Sequence, residues 1–446
     1  VIRDVVTAVL RIALGLFFRR IDVVGRERVP ATGPTMFAIN HPNGLIDPVL
    51  VLCQAPRPVA FLGKAPLLRL PVIGRVARAL DTIPVHRRHD PGSDPAHNRE
   101  TFARARALLE AGGTIAIAPE GVSHDEPGLK PLKTGAARIA LGAGTEAPVA
   151  IVPVGLFYTE KATFRSAALV LFGSPVSVAA APLDAGGEPP PDRVAAVTRA
   201  LDDALRNLVI EADDHRAVEV IARAERLVAG SLPGGNRRPL DQVLEARQTL
   251  VAGYRRLASD DPALLARLVR RVDRLESAFR LAGMDPGAPR AGSTPSMIAA
   301  LGALLVRLGL LLPLALPGLA IHYPAYRLVG VTADRLAKGH RDAVATIKVI
   351  SAAVFYPLTW IALGIGVGTR WGVGPGLAVL LLGPVTGLAA LKLVERFDRF
   401  VSRARALGFY LAAPERAERL IAERELLRSD LLRLAERLGV GATTGR

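Results

Sequence analysis

One cysteine, Cys53, stands in the 446 residues. No intramolecular disulfide is possible, which excludes a disulfide-built secreted scaffold and Cys-rich zinc modules. Cys53 closes the apolar run 49–53 and reads as a core thiol rather than a nucleophile. No G-x-S-x-G is present, so the serine-hydrolase elbow is missing; Ser123 lies in Gly-Val-Ser-His-Asp, without the second glycine. No P-loop and no G-x-G-x-x-G follows a strand. Gly364, Gly366 and Gly368 fall inside a hydrophobic run and read as helix-packing residues. His86, His89 and His97 share a stretch, but no Cys or spaced carboxylate pair completes a zinc set, so no metal is expected. Aromatic residues make up only 5%, and no internal repeat or low-complexity tract is seen.

What is abundant is positive charge and apolar surface. Lys and Arg number 57 against 41 Asp and Glu, a net charge of +16. Half the residues are hydrophobic and the mean hydropathy is +0.30. Excess positive charge suits nucleic acid or an anionic membrane surface. The hydrophobicity and the scarcity of aromatics favour anionic membrane lipids, and no nucleic-acid partner is expected.

Residues 1–20 read as an amphipathic membrane-associated helix with its arginines at the headgroups, rather than as a signal peptide. From 21 to 190, short apolar runs at 35–39, 59–62, 114–118, 150–156 and 168–172 read as strands. They alternate with helical stretches at 100–111 and 134–141, which implies an α/β domain. Residues 191–290 have helical periodicity with many charges. Three stretches between 297 and 393 (297–320, 349–368 and 371–393) are long and apolar enough to cross a bilayer. A charged helical tail, 394–446, follows. Pro313 and Pro317 interrupt the first apolar stretch, and only Thr369 and Arg370 separate the other two. The loop between the first two carries Arg327, Arg335, Lys338, Arg341 and Lys348. The positive-inside rule therefore favours a first stretch that bends or turns back, followed by a hairpin. The α/β domain, basic loop and tail would then share the cytoplasmic face of a cell-membrane protein.

Four segments could carry chemistry. Asn40-His41-Pro42-Asn43-Gly44-Leu45-Ile46-Asp47 follows the strand 35–39. Polar groups at a strand end are costly to bury, so they line a cleft, and a His with a nearby carboxylate can take a proton from an alcohol. A turn with a capping Asp is the plainer alternative. Pro119-Glu120-Gly121-Val122-Ser123-His124 follows the strand 114–118. It offers a carboxylate and backbone amides beside His124, Lys130 and Lys133, a set suited to a phosphate or an oxyanion. Asp81-Thr82-Ile83-Pro84-Val85-His86-Arg87-Arg88 holds an Arg able to bind phosphate, although a surface Arg pair is more often only solvated. Ile151-Val152-Pro153-Val154 reads as a buried strand with a structural proline.

In this order and spacing the four segments resemble the glycerophospholipid acyltransferase (PlsC-like) family, with its N-H-x4-D, G-x-I-P-I-x-R, F-P-E-G-T-R-S and V-P-V/I blocks. The resemblance covers residues 22–182. Three departures stand out. Five residues, not four, separate His41 from Asp47, as in the subgroup of fungal-type glycerol-3-phosphate and dihydroxyacetone-phosphate acyltransferases. Asp81 replaces a glycine, and Ser123 replaces an arginine. The resemblance implies that His41 is the general base and Asp47 its orienting partner. A hydroxyl would attack the thioester of acyl-CoA or acyl carrier protein directly, with no acyl-enzyme and no further cofactor. It places Arg87, Glu120 and Gly121 in the acceptor site, with Asn43, Gly44 and Lys64 nearby. Arg88, Ser123, His124 and Lys133 complete the substrate-binding set, some of them compensating for the missing arginine. The expected acceptor is glycerol 3-phosphate or lysophosphatidate. The competing reading is a non-catalytic membrane lipid-binding or scaffold protein on a degenerate acyltransferase fold.

Overall fold

The computed structural model describes residues 1–86, 95–232, 235–288 and 294–440. The chain divides into two compact units. One holds Val1–Glu211 and Ala337–Val349, and the other the remainder.

The first unit begins with α1 (Ile2–Phe17) and β1 (Arg20–Val24), then β2 (Thr35–Ile39), α2 (Ile46–Gln54), β3 (Ala60–Lys64), α3 (Ala65–Leu68), α4 (Pro71–Ala79) and β4 (Ile83–Val85). It continues with α5 (Pro95–Glu110), β5 (Thr114–Ile117), α6 (Gly135–Leu141), β6 (Val149–Tyr158), β7 (Ala167–Phe172), β8 (Val176–Val178) and α7 (Pro191–Arg206). The strands form one mixed sheet in the order β1-β7-β6-β2-β5-β3-β4, with β8 also on β6. From β6 through β2, β5 and β3 to β4 every pairing is parallel; β7 and β8 run antiparallel to β6. Alternation along the strands feeds two cores. Phe37, Ile39, Val152 and Val154 pack with Leu14 and Phe17 of α1 and Leu50 and Val51 of α2. Met36, Ala38, Ile115 and Ile151 face Ala105 and Leu109 of α5, Ile139 of α6 and Leu201 of α7. This is the mixed α/β sheet with flanking helices that the residue pattern implies.

Pro153 sits in the middle of β6, where a missing N–H would normally cost a ladder bond. It lies between the stretch paired with β8 (Val149 to Ile151) and the stretch paired with β7 (Val154 to Tyr158), so no bond is lost. Its carbonyl accepts from Gly173 N at 2.8 Å.

Several boundaries differ from the sequence reading. β1, β4 and β8 were not expected as strands. α7 packs on the sheet through Leu201 and Leu205, so the α/β unit extends to Glu211 instead of ending at 190. Residues 337–349 cluster with the α/β unit. On α1, Arg3 donates to Asp81 Oδ2 (2.7 Å) and Val59 O (2.7 Å), and Arg11 Nε donates to Cys53 O (3.1 Å). Those two arginines bind the domain and are not held out at headgroups. The exposed stripe of α1 is apolar: Ile2, Val5, Val9, Ile12 and Leu16, at helical spacing.

The second unit contains α8 (His215–Ala229), α9 (Leu240–Asp260), α10 (Pro262–Leu281), α11 (Thr294–Ala337), α12 (Arg341–Trp371), α13 (Val373–Ala412) and α14 (Pro414–Leu438). Asp214 and Asp261 cap α8 and α10, accepting from Ala217 N and Leu264 N. α14 packs against α8, α9 and α10, with Leu427 beside Leu227, Leu275 and Phe279. The charged tail is therefore part of the helical region. α11, α12 and α13 are long and apolar enough to cross a membrane, and no more than 28% of the most apolar stretch of any of them is buried in protein.

Candidate active site

The blocks that follow β2 and β5 emerge at the carboxyl ends of adjacent parallel strands, where open α/β sheets place their sites. The backbone then leaves β2 through Asn40. Its side chain continues the ladder, with Oδ1 accepting from Leu156 N (2.7 Å) and Nδ2 donating to Leu156 O (3.1 Å). The loop turns at Gly44, whose φ of +47° favours glycine, and enters α2 with Asp47 in the first turn.

This turn brings His41 and Asp47 together. His41 Nδ1 lies 2.8 Å from Asp47 Oδ2. The same oxygen accepts from Asn43 N at 2.7 Å, and Oδ1 accepts from Tyr158 Oη at 2.5 Å. Asp47 is fully buried, and three donors compensate its charge. Tyr158 is held well above the ordinary phenol range, first by burial, then by the charge of Asp47 and its hydrogen bond, so it remains a donor. With Asp47 fixing Nδ1–H, His41 Nε2 carries the lone pair, and no described residue bonds to it.

The block after β5 supports this loop from the side. Glu120 is buried; Oε1 accepts from His41 N (2.9 Å), and Oε2 accepts from Lys130 N (2.8 Å) and His124 Nε2. His124 Nδ1 accepts from Glu126 N at 3.2 Å, so this ring is a neutral structural linker. Gly121 takes φ +73°, and its N–H donates to Ala118 O (2.9 Å) instead of standing free. Lys133 lies over it: a Cβ at Gly121 would collide with Nζ.

The structure thus joins His41, Asp47, Asn43, Glu120 and His124 in one network, with Gly121 and Lys133 at its margin. Asn43 is buried, its Nδ2 donating to Lys161 O (3.1 Å) and its Oδ1 without a partner. Glu120 and His124, expected to touch substrate, spend their polar groups on one another and on the backbone, whereas Asn43 keeps its Oδ1 unbonded. Gly44 faces Asp342 and Thr346 instead of an open cleft. Lys64 ends β3 in register with Val85. Ser123 Oγ donates to Asp342 Oδ2 at 2.8 Å. Arg87 and Arg88 lie outside the described residues. Asp81 has φ +55°, which explains the glycine of the related block, and Asp tolerates this region better than most residues. Cys53 is buried and its thiol is pushed up to about 11, mainly by burial, as fits a core residue. Among the described residues no cluster could hold a metal ion.

Tyr158 is absent from the sequence reading. It stands 111 positions from Asp47, and only the pairing of β6 with β2 brings it there.

Residues 20–156 match the model of the family described as Acyltransferase, so the segment that carries the dyad is an acyltransferase-family domain. The chain is 29% identical over 285 residues to "Glycerol-3-phosphate O-acyltransferase 2" of Saccharomyces cerevisiae, a match covering 60% of this chain and 38% of that protein. It is 28% identical over 171 residues to the "1-acyl-sn-glycerol-3-phosphate acyltransferase" of Borreliella burgdorferi, covering 38% of this chain and 63% of that one. It therefore spans less than two thirds of either relative. Among solved structures, the 1-acyl-sn-glycerophosphate (LPA) acyltransferase PlsC from Thermotoga maritima matches with 20% identity and a TM-score of 0.35, over 46% of this chain and 78% of that one.

Proposed function

We propose that the protein is a membrane-bound O-acyltransferase. It would move a fatty acyl group from acyl-CoA or acyl carrier protein to the hydroxyl of a glycerol-phosphate acceptor, glycerol 3-phosphate or lysophosphatidate. The observation that carries this reading is the His41–Asp47–Tyr158 chain, buried at one end and open at His41 Nε2. In the proposed reaction Nε2 takes the hydroxyl proton as the oxygen attacks the thioester carbonyl. Asp47 stabilises the imidazolium, and the tetrahedral intermediate expels the thiolate, which takes the proton back from Nε2. Lys133, over Gly121, is a described cation beside this network that could meet a phosphate. The names of the relatives support a glycerol-phosphate acceptor.

A membrane setting is supported by the apolar surface of α11, α12 and α13 and by the exposed stripe of α1. Gly372 alone joins α12 to α13, and Trp360 against Gly383 and Gly364 against Gly376 mark them as an antiparallel hairpin. Early α11 packs on late α13 (Leu308 with Leu393), and His322 meets Trp360 and Gly387 midway. The end of α11 is joined to the start of α12 by a three-residue turn. Both ends of α11 therefore lie toward the same end of the hairpin, and Pro313, Pro317 and Pro324 lie in the stretch between. This arrangement supports a helix that dips in and returns.

The test is thioester consumption by the full chain in lipid, with glycerol 3-phosphate, lysophosphatidate and dihydroxyacetone phosphate offered in turn. His41→Ala is expected to lower turnover about 100-fold or more while the protein stays folded. A near-wild-type rate for His41→Ala would refute the assignment.

A further inference from the structure

Residues 337–349 join the first two apolar helices, yet they pack inside the α/β unit. Ala345 is fully buried in the core that holds Phe37 and Leu50, and Val349 packs at its edge. Three polar bonds reach the site loops. Leu45 N donates to Thr346 Oγ1 at 3.1 Å, Ser123 Oγ donates to Asp342 Oδ2 at 2.8 Å, and Lys348 Nζ donates to Ala162 O at 2.8 Å. Gly44 records how close the approach is: a Cβ there would lie 2.9 Å from Asp342 O and 3.0 Å from Thr346 Oγ1.

The contacts at Leu45, Gly44 and Ser123 fall on parts that set the dyad. Leu45 is the N-cap residue of α2, the helix whose first turn carries Asp47. Gly44 is the turn between His41 and Asp47. Ser123 lies in the block whose Glu120 holds His41 N. The serine that replaces the related arginine thus has a partner of its own, a carboxylate from α12.

We propose that the first turns of α12 act as a positioning element for the dyad, with Thr346 and Asp342 fixing the His41–Asp47 loop and the Ser123 loop. The inference rests on the acyltransferase reading. Removing the Thr346 hydroxyl frees the start of α2, lets Asp47 shift against His41 and lowers the rate of proton transfer without altering how the acyl donor binds.

The experiment uses the full chain in lipid nanodiscs, with turnover counted per folded molecule. Thr346→Val, which keeps the side-chain volume, is expected to lower kcat about fivefold to tenfold with KM for the acyl donor unchanged, and Thr346→Ser to restore it. A purely structural role would lower the melting temperature and leave kcat per folded molecule intact, which would overturn the proposal; so would failure of the serine to restore kcat. A second arm does not depend on activity. In a Cys53→Ser chain, Ser123→Cys with Asp342→Cys is expected to form an intrachain disulfide on mild oxidation in native membranes. Should the wild type consume no thioester with any acceptor, the acyltransferase reading fails by itself, and the disulfide still decides whether α12 seats on the site. Its absence would overturn the proposal.

Discussion

Asp47 has two oxygens and three donors, which reach it by two routes. His41 and Asn43 arrive through the loop itself, and Tyr158 arrives across the sheet. Asn43 was expected at the substrate, but the His41–Asp47 pair was legible in the sequence because the two share one short segment. Tyr158 was not, because residues far apart in the chain meet only once strand register is fixed. The same limit applies to Glu120. Its place after a strand was readable, but its role as the acceptor for His41 N depends on β5 lying beside β2. A hydrogen bond to a charged group contributes about 1.5–3 kcal/mol. Tyr158→Phe should therefore lower kcat about tenfold, with little change in KM for either substrate, since the hydroxyl acts on Asp47 and not on a ligand. Steady-state kinetics with each substrate varied in turn checks this; a rise in KM alone would place Tyr158 at the ligand.

At the scale of elements, the strands that were easy to read are those with long apolar runs, such as β2 and β6. Three others gave no such signal. β1 is Arg-Ile-Asp-Val-Val, and β4 and β8 are three residues each. They are strands because neighbours supply their ladders, a tertiary cause that local patterning does not report. The apolar run 49–53 is ambiguous by length alone, and in the structure it forms the second half of α2. The turn between α4 and β4 shows the reverse case, where a substitution noted in the sequence acquires a reason. Asp81 holds a left-handed backbone and also binds Arg3 of α1. Asp81→Val should destabilise the protein by about 1–2 kcal/mol, because a β-branched side chain fits that backbone region poorly. Asp81→Gly should stay within about 0.5 kcal/mol of wild type, since the glycine relieves backbone strain as the exposed ion pair is lost. Thermal melts of the two variants check this; equal destabilisation would mean that the Arg3 contact, not the backbone, governs the site.

For the whole molecule, residues 337–349 cluster with the α/β unit, so in the proposed membrane arrangement the basic loop and the candidate site would share one side of the bilayer. In a Cys53→Ser chain, single cysteines at His340 and Glu423 should resist an impermeant thiol reagent in intact cells and react after permeabilisation. One at Arg370 should react from outside. Labelling of His340→Cys or Glu423→Cys in intact cells would overturn the arrangement. The sequence carried the spans, the charge asymmetry and the short link between α12 and α13. It did not show that the loop after α11 is a structural part of the α/β unit, because that depends on Ala345 and Thr346 finding a seat on residues 300 positions earlier. The single-residue link at Gly372 has a consequence for how such a chain is made and supplied. In the proposed arrangement the α12–α13 hairpin would carry little more than Thr369, Arg370 and Trp371 to the distal leaflet. In the proposed acyltransferase, donor, acceptor and any control signal would then all come from one aqueous compartment, and only the lipid product would have access to the other half of the bilayer.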